Sequence, residues 1–436
     1  MAVPPERLEE LQAVFDAEGV ETSVIGRFED SGRLVLRHAG EVMGDLPMAF
    51  LHDGTPRPVR EAVWEPSELA DPGVPPTADH ARMLLELLAM PDVASKEWIV
   101  RQYDHEVQGL SVLKPLVGTR GDGPGDGAVL KPLAESPKAI AVGCGANPRY
   151  GLLHPGRMAA AVIDEALRNV VCVGGDPEHT AILDNFAWGN CDKPDRLGAL
   201  VLAAEACRDA ALAYGTPFIS GKDSLNNEYR VGRRTISIPP TLLISALAVV
   251  PDVARVTSMD LKRAGNGVWL VGETRAELGG SHYLAALGLE GGTVPAPELA
   301  TAPGVLRTLH GALAAGCARA CHDLSEGGLA VAAAEMAFAG DLGLSLDLAA
   351  VDGDEPGADC DADATLLYSE STTRFLVEVE TEAEERWLAA MAGVPVARVG
   401  RVLAEPFLEI HGCGGARLAR IALEDLRAAH GGGFQG

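Results

Sequence analysis

The sequence is poor in basic side chains. It has 36 lysines and arginines against 62 aspartates and glutamates, which gives a formal net charge of −26. The phosphates of DNA, RNA and anionic membranes would repel such a chain, so non-specific binding to any of them is not expected. A small phosphorylated ligand is not excluded, because Mg²⁺ and backbone N–H groups can hold one.

Paired cysteines and long apolar runs are also missing. The eight cysteines include no CxxC pair and no Cys/His cluster with zinc spacing, and they do not resemble a disulfide framework. Free cysteines fit a reducing compartment. No uncharged apolar run reaches the roughly 18 residues that a membrane helix needs, and the amino terminus is charged at once, unlike a signal peptide. The sequence therefore predicts a cytoplasmic protein without a membrane partner.

The 436 residues are 47% hydrophobic, enough for about two or three domains with cores of their own. From about residue 104 to 250, and again from about 255 to the end, strand-like and helical stretches alternate. Such alternation predicts an α/β (α+β) fold. The first 52 residues contain only a predicted helix at 5–18, strands at 22–28 and 33–37, and a strand ending near Pro47. We interpret them as the remnant of a preceding domain.

Two predicted elements carry oxygen ligands suited to a hard cation. The predicted helix at 156–173 places Glu165 and Asn169 one turn apart on one face, where both could ligate Mg²⁺. The segment GDGPGDGAVL (121–130) surrounds Asp126 with glycines that allow close approach to a metal–phosphate group. Taken alone, these patterns are also typical of a polar helix surface and an acidic turn.

A third pattern is CHDLSEGGL (321–329), between a predicted strand and a predicted helix. Asp323 follows the strand, and Ser325 is expected to cap the helix, whose free N–H groups would suit a phosphate. His322 could act as a base, but a structural role is favoured because no partner is assigned to it. The acidic run 352–363 lacks EF-hand spacing and is interpreted as a surface loop rather than a calcium site.

Two glycine-containing loops, LDNFAWGN (183–190) and ISGKDSLNNE (219–228), place polar residues at the ends of apolar segments. Such clusters are common ligand sites in α/β proteins. No order of Ser, His and Asp or of Cys and His supports a hydrolase.

Together, nine segments resemble phosphoribosylformylglycinamidine synthase, an ATP-dependent amidotransferase in the superfamily of aminoimidazole ribonucleotide synthetase. The resemblance runs in order over nearly the whole chain. The segments are QYDHEVQG (102–109), VLKPLVG (112–118), GDGPGDGAVL (121–130), ANPRYGLLHPGRMAAAVIDEALRNVVCVGGDP (146–177), LDNFAWGN (183–190), SGKDSLNNE (220–228), ELGGSHYL (277–284), CHDLSEGGLAVAAAEMAFAG (321–340) and YSESTTRFLVEV (368–379).

The family's synthetase has two tandem copies of an A-type and a B-type domain. The resemblance therefore implies a remnant of the first B-type domain at 1–52, a linker and helix at 53–92, an A-type domain at 93–252 and a B-type domain at 253–436. The family's catalytic His would lie in the other half of the synthetase. His105, in the segment related to it by pseudo-symmetry, is not assigned a catalytic role.

The resemblance also implies two nucleotide sites. In an auxiliary site, Asp126, Glu165, Asn169 and Asp323 would bind Mg²⁺, while Ser325 and Lys114 would contact the ADP or ATP. In the working active site, Asp184 and Gly221 would contact ATP, and Ser224 would contact the ribonucleotide. Lys222 stands where some relatives have a metal-binding Asn; a charged Lys cannot ligate Mg²⁺, so a phosphate contact is expected instead. Residues 370–372 resemble a substrate-binding stretch of the other half.

The implied reaction phosphorylates the amide oxygen of formylglycinamide ribonucleotide with ATP, and ammonia then displaces phosphate to give the amidine. The implied partners are the N-terminal half of the synthetase and a glutaminase that supplies ammonia. A homodimer is also among the expected assemblies, because A-type domains of the superfamily pair into a shared barrel. Two alternatives are a nucleotide-binding structural subunit and a stand-alone ATP-dependent synthetase or kinase of the same superfamily.

Overall fold

A computed structural model describes residues 1–66, 70–102, 106–353 and 361–433. His105 and most of the acidic run at 352–363 therefore lie outside the described residues. The chain divides into two compact units, Met1–Arg60 and Glu61–Gly436.

The first unit contains a helix, a β-hairpin and a short second helix. Its elements are α1 (Leu8–Ala17), β1 (Arg33–His38), β2 (Glu41–Pro47) and α2 (Met48–Asp53). The predicted first helix and the strands at 33–37 and before Pro47 are confirmed. The predicted strand at 22–28 is wrong: the segment is irregular, because no neighbouring strand within the unit offers it a hydrogen-bonding ladder. No residue of this unit is buried.

The first part of the second unit forms a six-stranded sheet in the order β3-β6-β7-β12-β8-β9, in which only β8 and β9 pair in parallel. Its helices are α3 (His80–Leu88), α4 (Glu97–Val100), α5 (Pro148–Leu153), α6 (Pro155–Cys172) and α7 (Pro194–Tyr214). Its strands are β3 (Ser111–Leu113), β4 (Leu116–Val117), β5 (Gly123–Pro124), β6 (Ala128–Leu130), β7 (Ala139–Gly145), β8 (Thr180–Ala187), β9 (Phe218–Ser224), β10 (Glu228–Val231), β11 (Arg234–Ser237) and β12 (Thr241–Val250).

The second part of this unit forms a seven-stranded sheet in the order β14-β16-β13-β17-β15-β18-β19, in which only β15 and β18 pair in parallel. Its helices are α8 (His282–Ala286), α9 (Ala302–Ala314), α10 (Gly328–Gly340), α11 (Ala362–Tyr368), α12 (Glu384–Ala390) and α13 (Leu423–Gly432). Its strands are β13 (Gly267–Val271), β14 (Ala320–Asp323), β15 (Gly343–Asp347), β16 (Phe375–Val379), β17 (Val396–Leu403), β18 (Phe407–His411) and β19 (Arg417–Ala422).

Helix α6 is the central element of the second unit. Pro155 begins it, and the His154 side chain caps it by accepting from the Arg157 N–H. Its alanines and valines share one apolar core with β12, β16 and α9, so the two parts of the unit are packed together. Gly145 on β7 allows the helix to approach the sheet, because a Cβ there would collide with the Val162 carbonyl oxygen. Among the described residues, no helix has both the length and the apolar character needed to span a membrane.

Candidate metal and nucleotide site

Five of the predicted site residues line one cavity of about 430 Å³ in the second unit. Helix α6 contributes Glu165 and Asn169, β14 ends at Asp323, Ser325 follows it, and Asp126 precedes β6. The structure thus brings together side chains that lie up to about 200 residues apart in the sequence. All four predicted metal ligands offer oxygen atoms.

Asp126 is held in place through one carboxylate oxygen only. Its Oδ1 accepts from the Asp323 backbone N–H at 2.9 Å and lies 2.8 Å from His322 Nδ1. The Asp126 side chain is 1% exposed, and its Oδ2 has no hydrogen-bond partner among the described residues. Leaving a buried carboxylate oxygen unpaired costs free energy. A cation at the cavity would remove that cost, so this carboxylate fits a metal ligand.

His322 also lines the cavity, but it lies between two carboxylates and is not a free base. Its Nδ1 contacts Asp126, and its Nε2 lies 3.0 Å from Glu335 Oε2. Burial opposes charge on the ring, but these carboxylates raise the pKa of His322 well above its usual range. Both ring nitrogens are engaged, which supports the structural role expected for this histidine.

Glu165 and Asn169 share one face of α6, as their spacing predicts. The Asn169 amide nitrogen donates to the Cys144 carbonyl at 2.7 Å, so the amide oxygen is the atom that it can offer to a cation. Glu165 Oε2 accepts from the Ala146 N–H at 3.1 Å. Glycine at 143 permits this packing, since a Cβ there would lie 2.9 Å from the Asn169 Cβ.

Several carboxylates are crowded at the cavity. Burial raises the pKa of Glu165 and Asp323 above the usual range, and nearby carboxylates raise each further, while Arg168 opposes the shift. Burial also raises the pKa of Glu326 to about 7. Oxygen ligands held together against their mutual repulsion are typical of sites for hard divalent cations. The residues present therefore fit Mg²⁺.

These pKa shifts predict how Mg²⁺ stabilises the fold at different pH. At Glu326 the folded chain holds a proton that the unfolded chain releases, so the contribution of this group to stability falls as pH rises from its usual value of 4.5 towards about 7. Because Mg²⁺ needs the ionised carboxylates, we expect MgCl₂ to raise the melting temperature more at about pH 8 than at about pH 5.5. Thermal unfolding with and without MgCl₂ measures this. An equal increase at both pH values would contradict the assignment.

Arg168 is a site residue that the sequence patterns did not identify. It lies on α6, is buried, and contacts Asp164 one turn away. Its guanidinium also lies 3.1 Å from Asp323 Oδ2 and donates to Ser325 Oγ at 2.9 Å. It therefore holds two of the predicted site residues in place, the metal ligand Asp323 and the nucleotide contact Ser325. The available sequence signal was an Asp–Arg pair, four residues apart, in a helix that is mostly apolar.

Ser325 does not cap the following helix, so that expectation is wrong. Helix α10 begins at Gly328, and Gly327 occupies the N-cap position without a side-chain cap. Both glycines have left-handed backbones, with φ of +76° and +63°, and make the turn instead. The Ser325 hydroxyl donates to Asp323 Oδ2 at 2.6 Å and accepts from Arg168. These contacts with Asp323 and Arg168 hold the Ser325 side chain at the cavity.

Lys114 does not join this cluster. Its ammonium pairs with Glu106 at 2.8 Å and it is not among the described residues that line the cavity. Lys96 does line the cavity, and its amine contacts the carbonyls of Asp92 and Ala94. Burial lowers the pKa of Lys96. Lys96 is therefore the lysine that the structure places where a nucleotide phosphate could be reached.

The two lysines can be distinguished by substitution. We expect Lys96→Ala to weaken binding of ADP with Mg²⁺ by about tenfold, the size of one charge-assisted hydrogen bond. Lys114→Ala is expected to leave the affinity within about twofold, because its partner is Glu106. Isothermal titration calorimetry measures both. A larger loss in the Lys114 variant would restore the assignment made from the sequence.

The other four predicted residues lie together on strands β8 and β9. In this parallel pair, Asp184 is opposite Gly221. A Cβ at position 221 would lie 2.5 Å from Asp184 Oδ1, so a larger residue there would displace the Asp184 carboxylate. The Lys222 amine contacts the Ser224 hydroxyl. Strand β9 is an exposed sheet edge, and none of these residues is among those that line the cavity.

Two family models match consecutive stretches of the chain. The N-terminal domain of AIR synthase related proteins matches residues 124–250, and their C-terminal domain matches residues 263–412. The chain belongs to the family of AIR synthase related proteins. The family and the fold class expected from the sequence are thereby confirmed.

The curated relatives of the chain include two proteins named phosphoribosylformylglycinamidine synthase subunit PurL. That of Beijerinckia indica is 34% identical over 434 residues, which is 98% of this chain and 55% of the relative. That of Deinococcus radiodurans is 38% identical over 421 residues, which is 93% of this chain and 53% of the relative. The chain thus spans about half the length of these relatives.

The fold is also similar to that of Thermotoga maritima PurL. The structure of that protein complexed with FGAR gives a TM-score of 0.59 at 18% identity, over 79% of this chain and 53% of the other. Its complex with ADP gives a TM-score of 0.57 at 19% identity, over 81% of this chain and 52% of the other.

Proposed function

We propose that the chain is the C-terminal half of a phosphoribosylformylglycinamidine synthase. In this role it takes part in the ATP-dependent conversion of formylglycinamide ribonucleotide and ammonia to the amidine. The observation that carries the proposal is the convergence of Asp126, Glu165, Asn169, Asp323 and Ser325 on one cavity. Family membership and the names of the curated relatives support it.

The cavity is the proposed auxiliary site for ADP or ATP with Mg²⁺. The cation would offset the charge of the nucleotide phosphates. Asp126 and Glu165 would supply carboxylate oxygens to it, and Asn169 would supply an amide oxygen. Asp323 would be the fourth ligand, oriented by its contact with Arg168. Ser325 and Lys96 would contact the nucleotide.

The strands β8 and β9 are the proposed contribution to the working active site. Asp184 and Gly221 would contact ATP there, while Lys222 and Ser224 would contact the ribonucleotide. An iminophosphate must be shielded from water, which requires an enclosed site. The exposed edge formed by β9 encloses nothing by itself. The proposal therefore includes the N-terminal half of the synthetase, which would cover this edge, and a glutaminase subunit; a homodimer through the A-type domains is a further proposed assembly.

The test is reconstitution from purified components. The chain, the N-terminal half and a glutaminase are mixed, and release of inorganic phosphate from ATP is followed with and without formylglycinamide ribonucleotide. We expect turnover that requires the ribonucleotide and all components. Turnover by the chain alone would indicate a stand-alone synthetase. Tight nucleotide retention without turnover in the full mixture would indicate a structural subunit.

A further inference from the structure

A second large cavity lies in the part of the second unit that forms the seven-stranded sheet. It is found at the ends of β13, β16 and β17, beside the first turns of α9, and its volume is about 570 Å³. This volume is within the roughly 300–1,000 Å³ of small-molecule sites. The cavity shares no described lining residue with the candidate metal and nucleotide cavity. Its wall includes Ser371 and Thr372, from a segment to which the proposed function gives no role.

Carboxylates dominate the charge of this cavity wall. Glu273, Glu277 and Glu298 line it, and Arg275 is the one basic side chain among the described lining residues. Arg275 lies 3.9 Å from Glu273, so its charge is already partly offset. The wall would repel a phosphate and attract a cation.

Glu277 is the carboxylate of this wall that needs a further partner. It is 7% exposed, and its Oε1 accepts from the Arg157 guanidinium at 2.8 Å. Its Oε2 is buried without a hydrogen-bond partner among the described residues. A buried carboxylate oxygen left unpaired costs free energy. A cationic donor in the cavity would remove that cost.

The arrangement of the carboxylates fits an extended organic cation better than a metal ion. Among the described residues, the one group of three acidic or histidine side chains with ligand atoms within 4.8 Å of one another lies at the other cavity. A ligand that pairs with several carboxylates of this wall must therefore extend between them. Val305, Val394 and Pro395 also line the cavity and offer apolar surface to a hydrocarbon chain.

We propose that this cavity binds an aliphatic polyamine. One ammonium group donates to the unpaired Oε2 of Glu277, and a second pairs with Glu273 or Glu298. The alkyl chain between them lies against Val305 and Val394. An ammonium group suits these partners because it carries three donors and no acceptor. The inference goes beyond the proposed function and does not depend on it.

Spermidine is the probe, and isothermal titration calorimetry with the full chain measures its binding. The titration contains about 150 mM salt, which screens attraction to the exposed acidic surface. We expect one bound spermidine per chain. Spermidine acetylated on both primary amines keeps the chain but loses the terminal charges. It should bind about tenfold more weakly or worse, because it lacks the charge-assisted hydrogen bonds.

Glu277→Gln tests the carboxylate itself. We expect it to weaken spermidine binding by about tenfold or more, because the amide keeps the shape of the side chain but removes the charge that pairs with the ammonium group. Glu205→Gln is the matched control, since it removes the same charge from an exposed position on α7. The control should bind spermidine as the parent chain does.

Gly304→Leu tests the cavity without changing any charge. Gly304 lines the cavity, and a Cβ there would have no heavy atom within 4 Å, so the added side chain starts in open space and fills the site. We expect spermidine binding to weaken by about tenfold or more. Gly311→Leu is the matched control, because Gly311 lies on the same helix, is equally open and does not line the cavity. Leucine is a better helix former than glycine, so neither variant should lower the melting temperature.

Four outcomes would overturn the inference. They are no spermidine binding, equal affinities for spermidine and its diacetylated form, equal losses from Glu277→Gln and Glu205→Gln, and equal losses from Gly304→Leu and Gly311→Leu. The titration contains no nucleotide, ribonucleotide or glutaminase, so its result is separate from that of the reconstitution.

Discussion

Asp323→Asn is expected to lower the affinity of the chain for ADP with Mg²⁺ by about 100-fold or more. The change is nearly isosteric, but it removes one charge from the predicted ligand set. Asp323 also accepts from Ser325 and pairs with Arg168, so the substitution disturbs two further side chains of the site. Substituting a group that only orients a metal ligand typically lowers the metal affinity by about 10- to 100-fold. Substituting a ligand itself should lower the affinity at least as much.

Isothermal titration calorimetry with Mg²⁺ and ADP measures this loss. Asp209→Asn is the matched control, because it removes the same charge from the exposed surface of α7, where Asp209 pairs only locally with Arg208. The control should bind as the parent chain does. An unchanged affinity in Asp323→Asn would show that this carboxylate is not at the nucleotide.

Arg168→Met is expected to cause the largest loss of stability, about 3–5 kcal/mol in the free energy of unfolding. Arg168 is the buried partner of both Asp164 and Asp323, and removing it leaves two buried carboxylates without their cation. Arg168→Lys should cost less, because it keeps the charge although it loses the fork of donors. Urea denaturation measures both losses.

The contacts of Asp164 explain why this loss extends beyond one ion pair. Asp164 also accepts from Tyr214 at 2.6 Å and from both the N–H and the hydroxyl of Thr373. Thr373 has a left-handed backbone with φ of +56°, which is costly for a β-branched residue and needs such support. A loss below about 1 kcal/mol in Arg168→Met would contradict this account of the buried network.

The part of the site that depends on local geometry could be predicted from the sequence. Glu165 and Asn169 share a face because the helical period places residues four apart together. The convergence of Asp126 and Asp323 with them came from the family resemblance. Arg168 could not be assigned to the site in that way, because its role depends on how β14 packs against α6.

The expectations that were wrong, a strand at 22–28 and a helix cap at Ser325, also depended on structure that local sequence patterns do not show. Residues 22–28 have the alternation of a strand, but strand formation depends on neighbours that the first unit does not contain. Ser325 has a suitable spacing for a helix cap, but the left-handed glycines at 327 and 328 move the helix start beyond it. The contact expected between Lys114 and a nucleotide stays a prediction; its ion pair with Glu106 could not be predicted from the sequence.

Crystallography of the chain with Mn²⁺ and ADP tests the central claim most directly, because the anomalous signal of Mn²⁺ locates the cation. The account predicts a peak in the cavity, within about 2–2.3 Å of oxygens from Asp126, Glu165, Asn169 and Asp323, with the diphosphate beside it and Ser325 in contact. A bound nucleotide whose metal ligands exclude Asp126 and Asp323, or a cavity that holds neither metal nor nucleotide at millimolar concentrations, would contradict it.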